Sequence, residues 1–139
     1  MIMSFRYYLD KGSVRKDTKD INRAKSLSEI VKKRMETARK MEPNFKLEFA
    51  YESIIESIEA VMAVDGYKSY SHEANIAYLR VLGFPESMVI EADNLRVKRH
   101  RSKYYGRKVS EEEGEKAIKT AERIIGKLEN ILKERLKHQ

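Results

Sequence analysis

The chain has 139 residues, 41% apolar and 37% charged, a balance that suits one folded domain around a single core and excludes wholesale disorder. It contains no cysteine, which excludes disulfides, thiolate chemistry and zinc sites built on Cys pairs, and no apolar run approaches the ~20 residues that a membrane-spanning helix requires. The net charge of +7 is confined: Asn94 to Ser110 holds Arg96, Lys98, Arg99, Arg101, Lys103, Arg107 and Lys108 with no Asp or Glu, leaving 22 basic and 22 acidic residues elsewhere.

Residues 1–19 read as an N-terminal arm. Met1 to Leu9 is apolar apart from Arg6 but has no basic leader and no small-residue cleavage site, so a cytoplasmic protein with no membrane attachment is expected. Ile21, Ala24, Leu27, Val31, Met35 and Ala38 then recur at three- and four-residue steps, the spacing of one helix face, and this helix stops before Pro43. In the next helix Tyr51, Ile54, Ile55, Ile58, Val61 and Met62 form an apolar stripe, with Gly66 as its stop. Beside the stripe, Ala50, Ser53, Ser57 and Ala60 make a row of small side chains that lets another helix approach closely, which makes this helix central.

Ser71 is placed to cap a short third helix carrying Ala74, Ile76, Ala77, Leu79 and Leu82 and ending at Gly83. Pro85 fits the first turn of a fourth, whose core face is Met88, Ala92 and Leu95. Beyond Leu95 the apolar pattern gives way to the basic stretch, so this half of the helix must meet water, a partner or a ligand. Ser110 with Glu113 forms a capping box for a long last helix striped by Ile118, Ala121, Ile125, Leu128 and Leu132 and widened by Ala117, Ile124 and Ile131. No segment alternates with period two, so no strand is expected. The reading is an all-α fold: one domain over 1–139, an antiparallel up-and-down bundle of about five helices joined by short connections.

Phosphate-binding glycine loops are missing, since the six glycines are scattered singly. His72, His100 and His138 lie far apart with no His-Glu-x-x-His spacing, so neither a metal nor a cofactor is expected. His72, at a helix start, reads as a capping or packing residue. Tyr7, Tyr8, Tyr67, Tyr70 and Tyr78 read as core or interface rings, and Met35, Met62 and Met88 as packing.

In the basic stretch Arg96, His100 and Tyr104 are four apart and line one helix face, with Arg99 and Lys103 on the adjoining one. Guanidinium groups grip phosphate through paired N–H donors, and Tyr and His rings stack on unpaired bases. The set suits single-stranded RNA or a nucleotide. A run of charge on an outer helix face can equally be only solvated, but the confinement of the whole excess to this stretch points to function.

Arg99-His100-Arg101-Ser102-Lys103-Tyr104 resembles the motif of the HEPN domains (higher eukaryotes and prokaryotes nucleotide-binding): an Arg, a polar residue, three variable residues and a His. Tyr8 to Lys16 with Ala24-Lys-Ser-Leu, Tyr51 through Tyr67, His72 opening its helix, and Ser110-Glu-Glu-Glu with the helix from Ala117 to Leu132 are similar to the same family. The resemblance covers nearly the whole chain. It implies a homodimer that joins two motifs across a basic cleft, and for many members a metal-independent endoribonuclease in which the RNA 2′-hydroxyl attacks the neighbouring phosphate. Arg99 would then steady the developing charge, and the motif histidine would assist proton transfer. Here Tyr104 stands in the histidine position, and a phenol of pKa ~10 is a poor base at neutral pH but a serviceable hydrogen-bond donor.

The candidate catalytic residues are therefore Arg99, His100 and Tyr104, and the candidate nucleic-acid contacts are Arg96, Lys98, Arg101, Lys103, Arg107 and Lys108. Three functions are compatible with them: RNA binding with cleavage; a non-catalytic, nucleotide-binding partner subunit of a small nucleotidyltransferase, as in toxin–antitoxin-like pairs; and a bundle that meets nucleic acid through charge alone.

Overall fold

The computed structural model describes residues 1–139. Its elements are α1 (Phe5–Lys11), β1 (Val14–Lys16), α2 (Ile21–Ala38), α3 (Pro43–Asp65), β2 (Tyr67–Ser69), α4 (His72–Val81), α5 (Glu86–Tyr105) and α6 (Glu111–Lys137). The all-α reading holds, with six helices instead of about five.

The helix termini follow from local chemistry. Asp20, Ser71 and Ser110 accept hydrogen bonds from the backbone N–H three residues on, and the Glu113 carboxylate accepts one from the Ser110 N–H, completing the expected capping box. Gly66 ends α3 at φ 87°, and a Cβ there would come within 3.1 Å of the Asp17 carbonyl, so both the left-handed backbone and the close chain require glycine. Pro85 caps α5 from one residue outside it and does not occupy the first turn.

The sheet was not expected from the sequence. The arm folds into α1 and β1, and β1 pairs antiparallel with β2, Val14 opposite Ser69 and Lys16 opposite Tyr67. Three-residue strands are too short to show alternation, and what holds them is non-local: Val14 is fully buried, Asp17 N–H donates to the Gly66 carbonyl at 2.8 Å, and Tyr70 N–H to the Ser13 carbonyl at 2.8 Å. This clamp fixes the chain between α3 and α4.

At the centre lies α3, in contact with α2, α4, α5 and α6 and most broadly with α6 and α2. Its stripe and its row of small residues are both buried, so the helix is covered on nearly all sides. Gly114 seats the start of α6 against Pro43, where a Cβ would meet the proline at 3.1 Å. Asn75 ties α4 to α3 by donating to the Ile55 carbonyl and to Glu59. In α5, Val89, Ala92 and Leu95 are buried, whereas Met88 is only half-buried. Of the tyrosines read as core or interface rings, Tyr8 and Tyr78 are buried in the core and Tyr7 and Tyr70 are exposed. No helix is long and apolar enough to cross a membrane.

Candidate nucleic-acid interface

From Arg96 to Tyr105, α5 continues for almost three turns without a fully buried residue. Two of its cations nevertheless turn inward. Arg99 Nη2 lies 2.9 Å from Glu52 Oε1 and 3.8 Å from Glu48 Oε1, both on α3, and its side chain is only 14% exposed. Its guanidinium carbon lies 5.7 Å from the centre of the Tyr51 ring, and its Nε has no acceptor within the protein. Arg96 Nε donates to Asp93 at 2.7 Å, and its Nη1 lies 3.9 Å from Glu73 of α4. Desolvation is the largest single influence on Arg96 and works against its charge, but the hydrogen bond it donates to Asp93 and the nearby negative charges of Asp93 and Glu73 together outweigh it, so the group stays cationic.

These pairs divide the cations of the basic stretch into two groups. Arg96 and Arg99 are tethered, and Lys103 lies 3.7 Å from Glu48. Lys98, Arg101, Arg107 and Lys108 make no ion pair, and of these Arg101, Arg107 and Lys108 are exposed. The tethers have a chemical use: a guanidinium already held in place loses less freedom when it grips a ligand, and its remaining N–H donors are aimed in advance.

The tethered arginines border an open pocket of about 240 Å³, lined by Tyr51, His72, Glu73, Arg96, Arg99, His100 and Tyr104. The structure therefore brings the three candidate catalytic residues to one place. His100 and Tyr104 lie at its edge as exposed rings 4.8 Å apart, with Tyr105 5.7 Å from His100 and 77% exposed. Neither ring of the His100–Tyr104 pair is fixed by a hydrogen bond. Arg101, Arg107 and Lys108 lie outside the pocket, on the exposed end of α5 and the connection to α6.

Three participants were missed in the sequence. His72, assigned to capping, lines the pocket, and its Nδ1 lies 3.0 Å from the Tyr51 hydroxyl. Tyr51 is a core residue at one end and a pocket residue at the other; burial pushes its hydroxyl pKa far above the ordinary value, so the phenol stays protonated. Asn44, at the start of α3, donates to Ser102 Oγ at 2.8 Å and to the Arg107 carbonyl at 3.0 Å, and accepts from Val109 N–H at 3.1 Å. One amide thus holds the end of α5 and the basic connection against α3. An Asn just after Pro43 reads in sequence as helix-start chemistry, and nothing local reveals partners some sixty positions away.

Comparison with known proteins agrees with this anatomy. A family model described as HEPN domain matches residues 22–131, which leaves α1 and β1 outside the match. No curated protein and no solved structure matches the chain.

Proposed function

The chain belongs to the HEPN domain family, and from that premise we propose that it binds single-stranded RNA at the α5 pocket and cleaves it without a metal ion. Membership points in general terms to nucleotide- or RNA-related work. The observation that carries the finer reading is the pair Arg96 and Arg99, each oriented by a carboxylate, bordering a pocket shared with two histidines and two tyrosines.

A phosphodiester in this pocket meets guanidinium donors where negative charge grows as the 2′-oxygen adds to phosphorus. Arg99 is the principal stabiliser of that charge, and Arg96 supports it. His100 and Tyr104 offer ring faces to unpaired bases, and Tyr104 offers a hydroxyl donor. Lys98, Arg101, Lys103, Arg107 and Lys108 attract the flanking backbone through charge. Two copies pair with their α5 ends together, so that exposed Tyr105 is covered and the basic surfaces form one cleft.

The phenol at 104 favours a second reading, in which the same pocket holds a nucleotide in a non-catalytic partner subunit of a small nucleotidyltransferase. One assay separates the two. Wild type and Arg99→Ala are incubated with mixed single-stranded RNA in excess EDTA, and the fragment ends are analysed. Cleavage by wild type alone, leaving 2′,3′-cyclic phosphate ends, supports the ribonuclease reading. Intact RNA under conditions where wild type binds it removes that reading and leaves the partner subunit.

A further inference from the structure

In this chain the motif keeps the arginine but has Tyr104 in place of its histidine, which leaves a proton to be moved and no obvious group to move it. His100 and Tyr104 have the right location but not the right support: both rings are exposed, as His72 is too, but unlike His72 neither is anchored by a hydrogen bond within the protein. His72 is supported on several sides. It is the first residue of α4, and the chain leading to it is fixed by the pairing of β1 with β2. A compact turn follows, in which Ser69 Oγ donates to the Ser71 carbonyl at 2.8 Å and accepts from the Ser71 N–H at 3.2 Å. Its ring packs against Tyr51 with centroids 5.6 Å apart, and its Nδ1 meets the Tyr51 hydroxyl.

We propose that His72, positioned by Tyr51, is the proton-transfer residue of this pocket, taking over the part of the motif histidine that this chain lacks. The inference rests on the ribonuclease reading above and names the group that reading leaves open.

With Nδ1–H donated to the Tyr51 oxygen, the lone pair of Nε2 remains for the substrate, which is the tautomer a general base requires. His72 Nε2 takes the proton of the 2′-hydroxyl as the 2′-oxygen–phosphorus bond forms and the bond from phosphorus to the 5′-oxygen breaks. The leaving 5′-oxygen takes a proton from water, and the hydroxide so formed removes the proton from His72. Nothing is oxidised or reduced, and the products are a 2′,3′-cyclic phosphate and a 5′-hydroxyl. The imidazolium keeps its Nδ1–H on the same phenol oxygen, so Tyr51 holds the ring in both charge states. A phenol that cannot ionise is suited to this, because it neither competes for the proton nor changes its own charge.

The charged and titratable groups around His72 are Tyr51 from α3, Glu73 beside it on α4, and Arg96, Arg99, His100 and Tyr104 from α5, with Asp93, Glu52 and Glu48 behind the arginines. The cations and Glu73 act on the imidazole in opposite directions. The sequence cannot flag the site, because His72 and Arg99 are 27 positions apart and only the packing of α4 and α5 on each other and on α3, with the Tyr51 ring between them, brings them together.

The test is RNA cleavage in EDTA by the full chain, followed from pH 5 to pH 9 for wild type, His72→Ala, Tyr51→Phe, Arg99→Ala and, as a remote control, His138→Ala. Loss of a general base lowers kcat on the order of 10²- to 10⁴-fold. His72→Ala is expected to show that loss with RNA affinity retained, to lose the acid limb of the pH–rate profile, and to recover activity when free imidazole is added. Tyr51→Phe, which keeps the packed ring and removes the hydroxyl, is expected to lower kcat by about tenfold with little change in KM, since it misorients the imidazole without removing it. His138→Ala cleaves as wild type does.

If His72→Ala cleaves at the wild-type rate with an unchanged profile while Arg99→Ala is inactive, the ribonuclease reading stands and His72 is not its base. If His72→Ala is inactive and imidazole restores nothing, the residue is structural and the proposal also falls. If wild type binds RNA and leaves it intact at every pH, the ribonuclease reading fails and the proposal with it.

Discussion

Along α6, Ile118, Ile124, Leu128 and Leu132 are buried against the rest of the bundle, whereas α5 beyond Leu95 buries no residue fully and is held by carboxylates on α3 and α4 and by one asparagine. Apolar burial is non-directional: it rewards filling space and is indifferent to which atom faces which. Ion pairs and hydrogen bonds are directional and set the aim of a side chain while adding little net stability at a half-wet surface. The α3–α6 seam can therefore carry the fold while the end of α5 carries the chemistry, and substitutions should separate the two.

The largest effect is expected in the seam. Leu128→Ala leaves a cavity at a fully buried position and should cost about 2–5 kcal/mol of unfolding free energy, read from urea denaturation. RNA affinity per folded molecule should stay at the wild-type value; an affinity that fell with stability would break the separation. On the other side, Arg99→Ala should lower cleavage on the order of a hundredfold or more, because it removes the principal charge stabiliser. Its stability should change less than that of Leu128→Ala, although Glu52 is left without its partner. Urea titration alongside the cleavage assay reads both.

Asn44→Ala lies between the two regimes. It removes three hydrogen bonds that join the end of α5 and the basic connection to α3 and should cost about 1–2 kcal/mol. Faster hydrogen exchange at the Val109 amide, with the α6 amides from Ile118 to Leu132 unchanged, would show that the loss is local. Smaller still are the exposed cations. Arg101→Ala, Arg107→Ala or Lys108→Ala should each weaken RNA binding a few-fold and reduce the slope of log affinity against log salt by about 0.7, the value for one lost contact to a single strand. An unchanged slope would show that the residue meets no phosphate.

The smallest effect is at the start of α6. The backbone N–H of Ser110 holds the Glu113 carboxyl below its ordinary value of 4.5. A carboxyl depressed by folding adds stability above its unfolded pKa, and that contribution is lost as the pH falls through the folded one. Glu113→Gln should therefore be slightly less stable than wild type at pH 7, and the difference should shrink as the pH drops below 4.5. Thermal melts at pH 7 and pH 3 check this, and a difference that grew on acidification would reverse the sign.

The parts of this anatomy that were legible in the sequence are those in which neighbours along the chain are neighbours in space. The stripes of α2, α3 and α6, the caps at Ser71 and Ser110 and the stop at Gly66 are all decided within one or two helical turns. The same holds for the joining of Arg99, His100 and Tyr104, which one stretch of α5 presents together. The short strands escaped because three residues carry no periodic signal. Asn44 and His72 escaped for the same physical reason, since their partners are distant in sequence.

By itself the sequence determined that this is a helical bundle with a neutral body and one basic segment, because helix periodicity and formal charge are local, additive properties. Only the tertiary structure decided that Arg99 turns inward onto Glu52 of α3 and Arg96 towards Glu73 of α4, that one amide pins the basic connection, and that His72 meets Tyr51 beside them. Those facts depend on how α3, α4 and α5 pack, and the direction of a hydrogen bond exists only once both of its partners have been brought together.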